Sequence, residues 1–407
     1  MGFQQGLSGL NAAARNLEVI GNNVANANTV GFKAGRAEFA DVYANTVAGG
    51  TAASIGIGTR VASVAQQFTQ GNITTTNNPL DVAINGDGFY RLSNNGAITF
   101  SRNGQFQLDN NGYIVNNSGA HLTGFAASAA GAISTGTPVN LQISKTDLPP
   151  LATANATASL NLDSRGAVLP AAGFVLANAA TYNTATSLST YDSLGNAHTL
   201  SLYFVKTAAN TCSVFAANDG VQVGAGAIGT LNFQTNGAID PVTTTLPFNI
   251  TPAVGGGATT PMNVALDFTG TTQFGSAFAV NDLTQDGYTA GKLSGFSIGP
   301  DGTISGRYSN GQTLAQGQIA LASFTNSQGL APLGNNQWAQ TSTSGLPLVG
   351  APGSGSLGAL QSGAVEEANV DLTQELVNMI TAQRIYQANA QTIKTEDSLM
   401  QTITNLR

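Results

Sequence analysis

A chain of 407 residues exceeds the usual reach of one hydrophobic core, so two to four domains are expected. Its net charge of -7, with only 14 lysines and arginines along the whole length, offers no basic stripe for phosphates, so nucleic acid is a poor candidate partner and is not expected. With 42% hydrophobic residues the chain should form packed domains, whereas its 9% charged residues and 49 glycines favour short strands and many turns.

The opening MGFQQGLSGL lacks a basic segment followed by an apolar run and a small-residue cleavage site, so a cleaved secretory signal is not expected. Residues 1 to about 28 instead carry apolar side chains at helical spacing. Leu10, Leu17 and Val24 fall seven apart, and Ala13, Ile20 and Ala27 repeat the interval, which predicts an amphipathic helix with a coiled-coil-like seam. Gly21-Asn22-Asn23 interrupts the good helix formers, and Asn26 to Gly31 reads as a helix stop. The stretch 31–70 is expected to be a connector, with Ala48 to Thr59 as a flexible linker.

Period-two alternation then takes over, as in Leu80-Asp81-Val82-Ala83-Ile84 and Gly104-Gln105-Phe106-Gln107-Leu108. Asn85-Gly86, Asn95-Gly96, Asn103-Gly104 and Asn111-Gly112 punctuate it with hairpin turns, predicting a β-meander. The same pattern returns from Leu293 to Gly311 and from Gly317 to Phe324, so residues 71–145 and 285–344 are expected to form one β-rich body domain. Between them, residues 146–284 open at Pro149-Pro150 and read as an inserted outer β-domain, a tolerated arrangement at a surface turn. Gly345 to Gly358 reads as a second linker within a connector spanning 345–364.

The C-terminal seam is the longest. Val365, Leu372, Met379, Tyr386, Ile393 and Met400 keep a seven-residue interval, with Leu376 and Ala390 partly filling a second row. Asp371 or Thr373 can cap the helix, and no Gly or Pro follows; some 35 residues would make it about 50 Å long. On the opposite face Gln383, Gln387, Gln391 and Gln401 are polar but uncharged, which suits burial between neighbouring chains. Residues 1–30 and 365–407 are therefore read as one helical domain, the two helices pairing as a coiled coil. The fold class is mainly β with long terminal helices, nested as helix, body, insert, body, helix.

The chain carries few residues in chemically suggestive patterns. His121 and His198 lie far apart in sequence without metal-ligand spacing, and one cysteine, Cys212, excludes a disulfide framework or a multi-cysteine metal site. Gly224 to Gly229 matches GxGxxG but runs into a strand pattern, so nucleotide binding is not expected. Asn85-Gly86-Asp87-Gly88 and the Asp286-Gly287 region lack the acidic spacing of calcium loops. Gly353 to Gly358 provides no strand-to-helix elbow, and no histidine follows it. No stretch approaches 18 uninterrupted apolar residues, so no membrane insertion is expected. No enzyme activity, cofactor or metal is expected.

Ser8-Gly9-Leu10-Asn11-Ala12-Ala13, then Asn22-Asn23-Val24-Ala25-Asn26-Ala27-Asn28-Thr29-Val30-Gly31-Phe32-Lys33, resembles the N-terminal signature of bacterial flagellar axial proteins, the rod and hook subunits. Asn369-Val370-Asp371-Leu372-Thr373 and Ala382 to Ala390 resemble the matching C-terminal module. Thr190 to Leu200, together with Gln391 to Asp397 and the Asn405-Leu406-Arg407 end, is similar to the hook branch of that family. The resemblance implies a homopolymeric hollow tube, a flexible universal joint that transmits motor torque and lets exported subunits pass. The terminal helices would form its inner wall, the body a middle layer and the insert the outside. It implies rod, hook cap, hook-associated proteins and the type III export apparatus as partners, with extracellular placement after export without signal cleavage. Phe39 and Tyr43 are a candidate export-gate element. The alternatives are a distal rod protein, whose family carries no insert of this size, or a secreted β-rich adhesin or enzyme, which would need a metal or catalytic constellation.

Overall fold

The computed structural model describes residues 2–42 and 56–405. The chain divides into two compact units, one of residues 1–145, 295–307 and 313–407, the other of 146–294 and 308–312.

The first unit begins with helix α1 (Gly2–Ala25), which runs through the expected interruption at Gly21-Asn22-Asn23. Asn23 is buried there because its amide clamps the chain ahead: Nδ2 donates to the Gly35 carbonyl and Oδ1 accepts from the Gly35 N–H, both at 2.8 Å. Helix propensity yields to a tertiary bond. The turn that follows ends at Gly31, whose φ of 71° and whose position against the Asn103 backbone, 2.6 Å from where a Cβ would stand, leave room for glycine alone.

The expected connector is an antiparallel hairpin. Strand β1 (Gly35–Val42) pairs with β2 (Gly58–Gln66), with a bulge between Glu38 and Phe39. Most of the Ala48 to Thr59 linker lies outside the described residues.

In the body, Phe89–Asn94 pairs with Ala97–Ser101 around Asn95 and Gly96, both at positive φ as a two-residue hairpin demands. Phe89–Asn94 also pairs with His121–Ala126 and Leu321–Ser323, so chain segments far apart in sequence close one body. Phe89, Phe100, Phe324 and Trp338 pack with Phe68 in edge-to-face contacts.

Gly345 to Gly358 is not a free linker: Leu348–Gly350 pairs with Leu321–Ser323, and Leu357 is buried. Next, Ala359–Ser362 pairs with Val82–Asn85, and Ala364–Glu366 with Ile73–Thr75. Val365, read as the first residue of the helical seam, is therefore a buried strand residue. Helix α2 (Leu372–Asn405) starts later because Asp371 caps it, its Oδ1 accepting from the Thr373 and Gln374 N–H groups at 2.9 and 3.1 Å.

The second unit contains two sheets. Thr184–Tyr191, Ala197–Ala208 and Thr211–Asn218 form an antiparallel meander extended by Val221–Gln222 and Gly229–Asn232. The other sheet orders Phe248–Ile250, Val264–Asp267, Asn155–Asn161 and Ala279–Gln285, its one parallel pair joining Asn155–Asn161 to Val264–Asp267. Leu160, Leu200, Leu202, Phe204, Val214, Leu231, Leu266 and Phe268 are buried in a single core cluster.

Candidate functional site: a paired-helix stem and its seat

Helices α1 and α2 pack antiparallel through a row of small residues. Gly2 faces Glu396, Gly6 faces Ile393 and Gly9 faces Asn389. A Cβ at Gly6 would stand 3.0 Å from the Ile393 side chain, and one at Gly9 2.6 Å from that of Asn389. Larger side chains would push the helices apart. Further along, Ala13, Ile20 and Ala382 are buried, and Asn23 Nδ2 reaches Glu375 Oε1 at 3.1 Å.

Of the two N-terminal rows, Ala13 and Ile20 are buried, whereas Leu10, Leu17 and Val24 are half-buried. On α2, Met379 and Ile393 are half-buried; Leu372, Leu376, Tyr386 and Met400 are exposed. A straight α-helix drifts about 20° per heptad, so a strict seven-residue row cannot face one partner along its whole length. Met400 also lies past the level of Gly2, where α1 starts.

The seam thus leaves apolar surface over. Leu372, Leu376, Val377 and Ile380 occupy the first three turns of α2 with exposures of 43%, 49%, 53% and 52%. On α1, Phe3 and Leu7 are exposed one turn apart. No signal in a single sequence tells which apolar residues pair within one chain and which await another.

Beneath the stem sits a joint that the sequence reading did not find. Lys33 and Glu366 are fully buried with Nζ and Oε1 2.7 Å apart, and Arg102 Nε approaches Glu366 Oε2 at 3.2 Å. Lys33 also donates to the Thr69 carbonyl at 2.7 Å, and the Gly71 N–H to Glu366 Oε1 at 2.9 Å. Arg102 is held in place by the Gly86 and Gly88 carbonyls. Burial, reinforced by Arg102, lowers the Lys33 pKa, and Glu366 opposes that shift. The Gly31 N–H donates to the Glu366 carbonyl, and Asn369 accepts from the Ala34 N–H while donating to Gln67 and Thr69. Both chain ends are therefore seated on the body by residues of the Gly31-Phe32-Lys33 and Asn369-Val370-Asp371 motifs or their neighbours. The visible signal was Lys33 itself, a cation closing a motif otherwise free of charge.

Phe39 lies on β1, 43% exposed; Tyr43 lies outside the described residues. His198, in the second unit, has its Nδ1 2.6 Å from Asp219 Oδ2 and its Nε2 3.3 Å from Asp192 Oδ2. His121 is elsewhere, edge-on to Tyr113. Among the described residues no cluster of three or more His, Cys, Asp or Glu side chains could hold a metal, and no helix is long and apolar enough to cross a membrane. Cys212 is buried and its thiol pushed up to about 12 by that burial, which makes it a poor nucleophile.

Four family models match the chain in succession: flagella basal body rod protein at residues 3–33, flagellar hook protein FlgE/F/G D1 domain at 83–196, flagellar basal body protein FlaE D2 domain at 161–288, and flagellar basal body rod FlgEFG protein C-terminal at 361–406. The flagellar hook protein FlgE of Escherichia coli (strain K12) is 44% identical over the full length of both chains, and that of Salmonella typhimurium 43% over the full length of both. The hook protein of Borreliella burgdorferi is 34% identical over 99% of this chain and 98% of its own. The crystal structure of the Helicobacter pylori flagellar hook protein FlgE2 aligns with a TM-score of 0.54 at 13% identity, over 72% of this chain and 99% of that one, a likeness of fold.

Proposed function

Because the chain belongs to the flagellar hook protein family and is a structural subunit of the bacterial hook, we propose that the α1–α2 stem is the element through which it polymerises. The observation that carries this reading is the leftover apolar surface of the stem. Four aliphatic side chains in adjacent turns of α2 form one exposed apolar stripe, and Phe3 and Leu7 on α1 form a second at the other end of the stem, apolar surface of the kind that marks an interaction site. Each repeat of a helical polymer would offer the same face to its neighbours and cover it.

The residues in this proposal are Leu10, Leu17 and Val24 on α1, and Leu372, Leu376, Met379, Tyr386, Ile393 and Met400 on α2. Val365 acts from its strand, by holding the base of α2 to the body. Residues 1–30 and 365–407, apart from the strand residues at 365–366, form the polymerisation layer, the body the middle layer, and the inserted unit the outside. Stems packed side by side would leave a central passage for exported subunits, and their continuity would carry torque from rod to filament. The body and insert present few charges, which suits surfaces that must slide as the tube bends. On this reading the protein is non-enzymatic and meets the rod, the hook cap, hook-associated proteins and the export apparatus. It leaves the cell without signal cleavage, and Phe39 with Tyr43 serves as the export-gate element.

Electron microscopy of purified full-length protein, beside a chain lacking residues 1–30 and 365–407, tests the reading under polymerising conditions. Tubes from the full-length chain alone support it. Tubes from the truncated chain would overturn control by the stem.

A further inference from the structure

The Asn-Gly pairs that shape the turns of this chain also carry latent chemistry, and the structure separates them sharply. We propose that Asn95 is a site of self-modification. The Gly96 backbone nitrogen attacks Cγ of Asn95, the Cγ–Nδ2 bond breaks, and ammonia leaves with the proton lost by the Gly96 amide. Water then opens the resulting succinimide to aspartate or isoaspartate. No oxidation occurs, and water is the sole co-reactant.

The attack requires an Asn side chain free to rotate and a glycine N–H free to leave its place. The sequence holds six Asn-Gly pairs, and five are held closed. Asn85 and Gly86 are both bound by the Gln70 amide, which donates to Asn85 Oδ1 at 3.4 Å and accepts from the Gly86 N–H at 3.0 Å. Asn103 Oδ1 accepts from the Gln105 N–H at 2.9 Å, and Gly104 lies tight against the Val82 carbonyl. The Gly112 N–H donates to the Asp109 carbonyl at 3.1 Å. Asn236 Oδ1 accepts from the Ala238 N–H, and the Gly237 N–H donates to the Gln234 carbonyl. Asn310 is bound through both Oδ1 and Nδ2, and the Gly311 N–H donates to the Tyr308 carbonyl.

Among the described residues Asn95-Gly96 alone has neither its side chain nor its glycine N–H held. It is the exposed two-residue tip of the hairpin joining Phe89–Asn94 to Ala97–Ser101, and among the described residues nothing bonds the Asn95 side chain or the Gly96 N–H. A Cβ placed on Gly96 would meet no atom within 4 Å, so space for the ring exists. With Asn95 at a φ of 49° the turn must rotate its central peptide before attack, and only the turn itself opposes that rotation. The product matters structurally: isoaspartate adds a methylene to a backbone whose two-residue turn tolerates no extra length, and either product adds a negative charge.

The test is peptide mapping by mass spectrometry of the folded full-length chain during incubation in warm, mildly alkaline buffer, with enzymatic methylation to count isoaspartate. Asn95 is expected to convert on the order of tenfold faster than each other pair, the factor by which one or two net hydrogen bonds hold a group closed. In urea the six rates should converge, and Gly96→Ala should suppress conversion at Asn95 in the folded chain. Conversion of another pair as fast as Asn95 in the folded chain, or the same ranking in urea, would overturn the proposal.

Discussion

The inserted unit and the terminal stem are built on opposite principles. The insert closes its own core: Leu200, Leu202, Phe204, Val214 and Phe268 are essentially fully buried by residues of the same unit. The stem spends its closest contacts on glycines, Gly2, Gly6 and Gly9, and turns Leu376, Val377 and Ile380 outward. A domain that must be finished before it meets a neighbour buries its large side chains internally. On the proposed function, a helix pair that keeps them outside would stay incomplete until another chain arrives, which would couple the ordering of the stem to assembly.

The joint sharpens the contrast most, because it decides whether the stem is seated at all. Glu366→Leu would leave Lys33 and Arg102 buried beside each other without a carboxylate, a change that costs about 3–5 kcal/mol for a buried pair broken on one side. The expected result is a large loss of stability in the body with exposure of both chain ends to protease, while the insert unfolds at an unchanged denaturant concentration. Amide exchange at Gly71, whose N–H binds the Glu366 carboxylate, reports the same event locally. An unchanged Gly71 protection factor would refute the joint.

Phe268→Ala reverses the pattern. Removing a side chain with no exposure from the insert core should cost about 3–5 kcal/mol in that unit and leave the α1–α2 pairing intact, as read by helical circular dichroism beside tryptophan fluorescence from Trp338 in the body. Simultaneous loss of both signals would show that the units do not unfold separately.

Gly9→Leu acts on the seam. The new side chain meets Asn389, and relief by helix separation is expected to cost about 1–3 kcal/mol of stem stability. Tube formation should fail, whereas unfolding of the insert followed by urea titration should not move. Tubes of normal appearance would show that the close approach of the helices is dispensable.

How much of this was legible follows from the kind of signal each element carries. The two long helices and the β-character of the middle were readable because periods near 3.6 and 2 are local properties of the chain. The return strands Ala359–Ser362 and Ala364–Glu366 were not, because a Gly, Pro and Ser composition resembles a linker and their pairing with Val82–Asn85 and Ile73–Thr75 is non-local. Val365 fell into the helical row for the same reason: its spacing fits, but the partner that decides its conformation lies nearly three hundred residues away. The joint was hidden most deeply, since Lys33, Arg102 and Glu366 come from three distant segments and only their common burial gives them meaning.

The smallest expected effect lies in the insert and shows how a closed unit can still sense its surroundings. His198 gains charge more readily than a free histidine, first through its hydrogen bond to Asp219 and then, against the effect of burial, through Asp192. Asp192 is itself held at about 2: burial would raise it, but hydrogen bonds from Asn196, His198 and Leu194 prevail. The folded pKa of His198 is raised, so its stabilisation is fully present below the unfolded value of about 6.5 and is lost as pH rises through the higher folded value. The urea midpoint of the insert should therefore fall modestly between mildly acid and mildly alkaline pH, and His198→Gln should flatten that slope without changing the stem. Asp192 acts on the other side, its contribution present above about 3.9 and lost only as pH drops towards about 2. A slope that survives the substitution would assign the titration to another group, whereas a slope that vanishes places the pH response of the insert in a single clamp at one end of its meander.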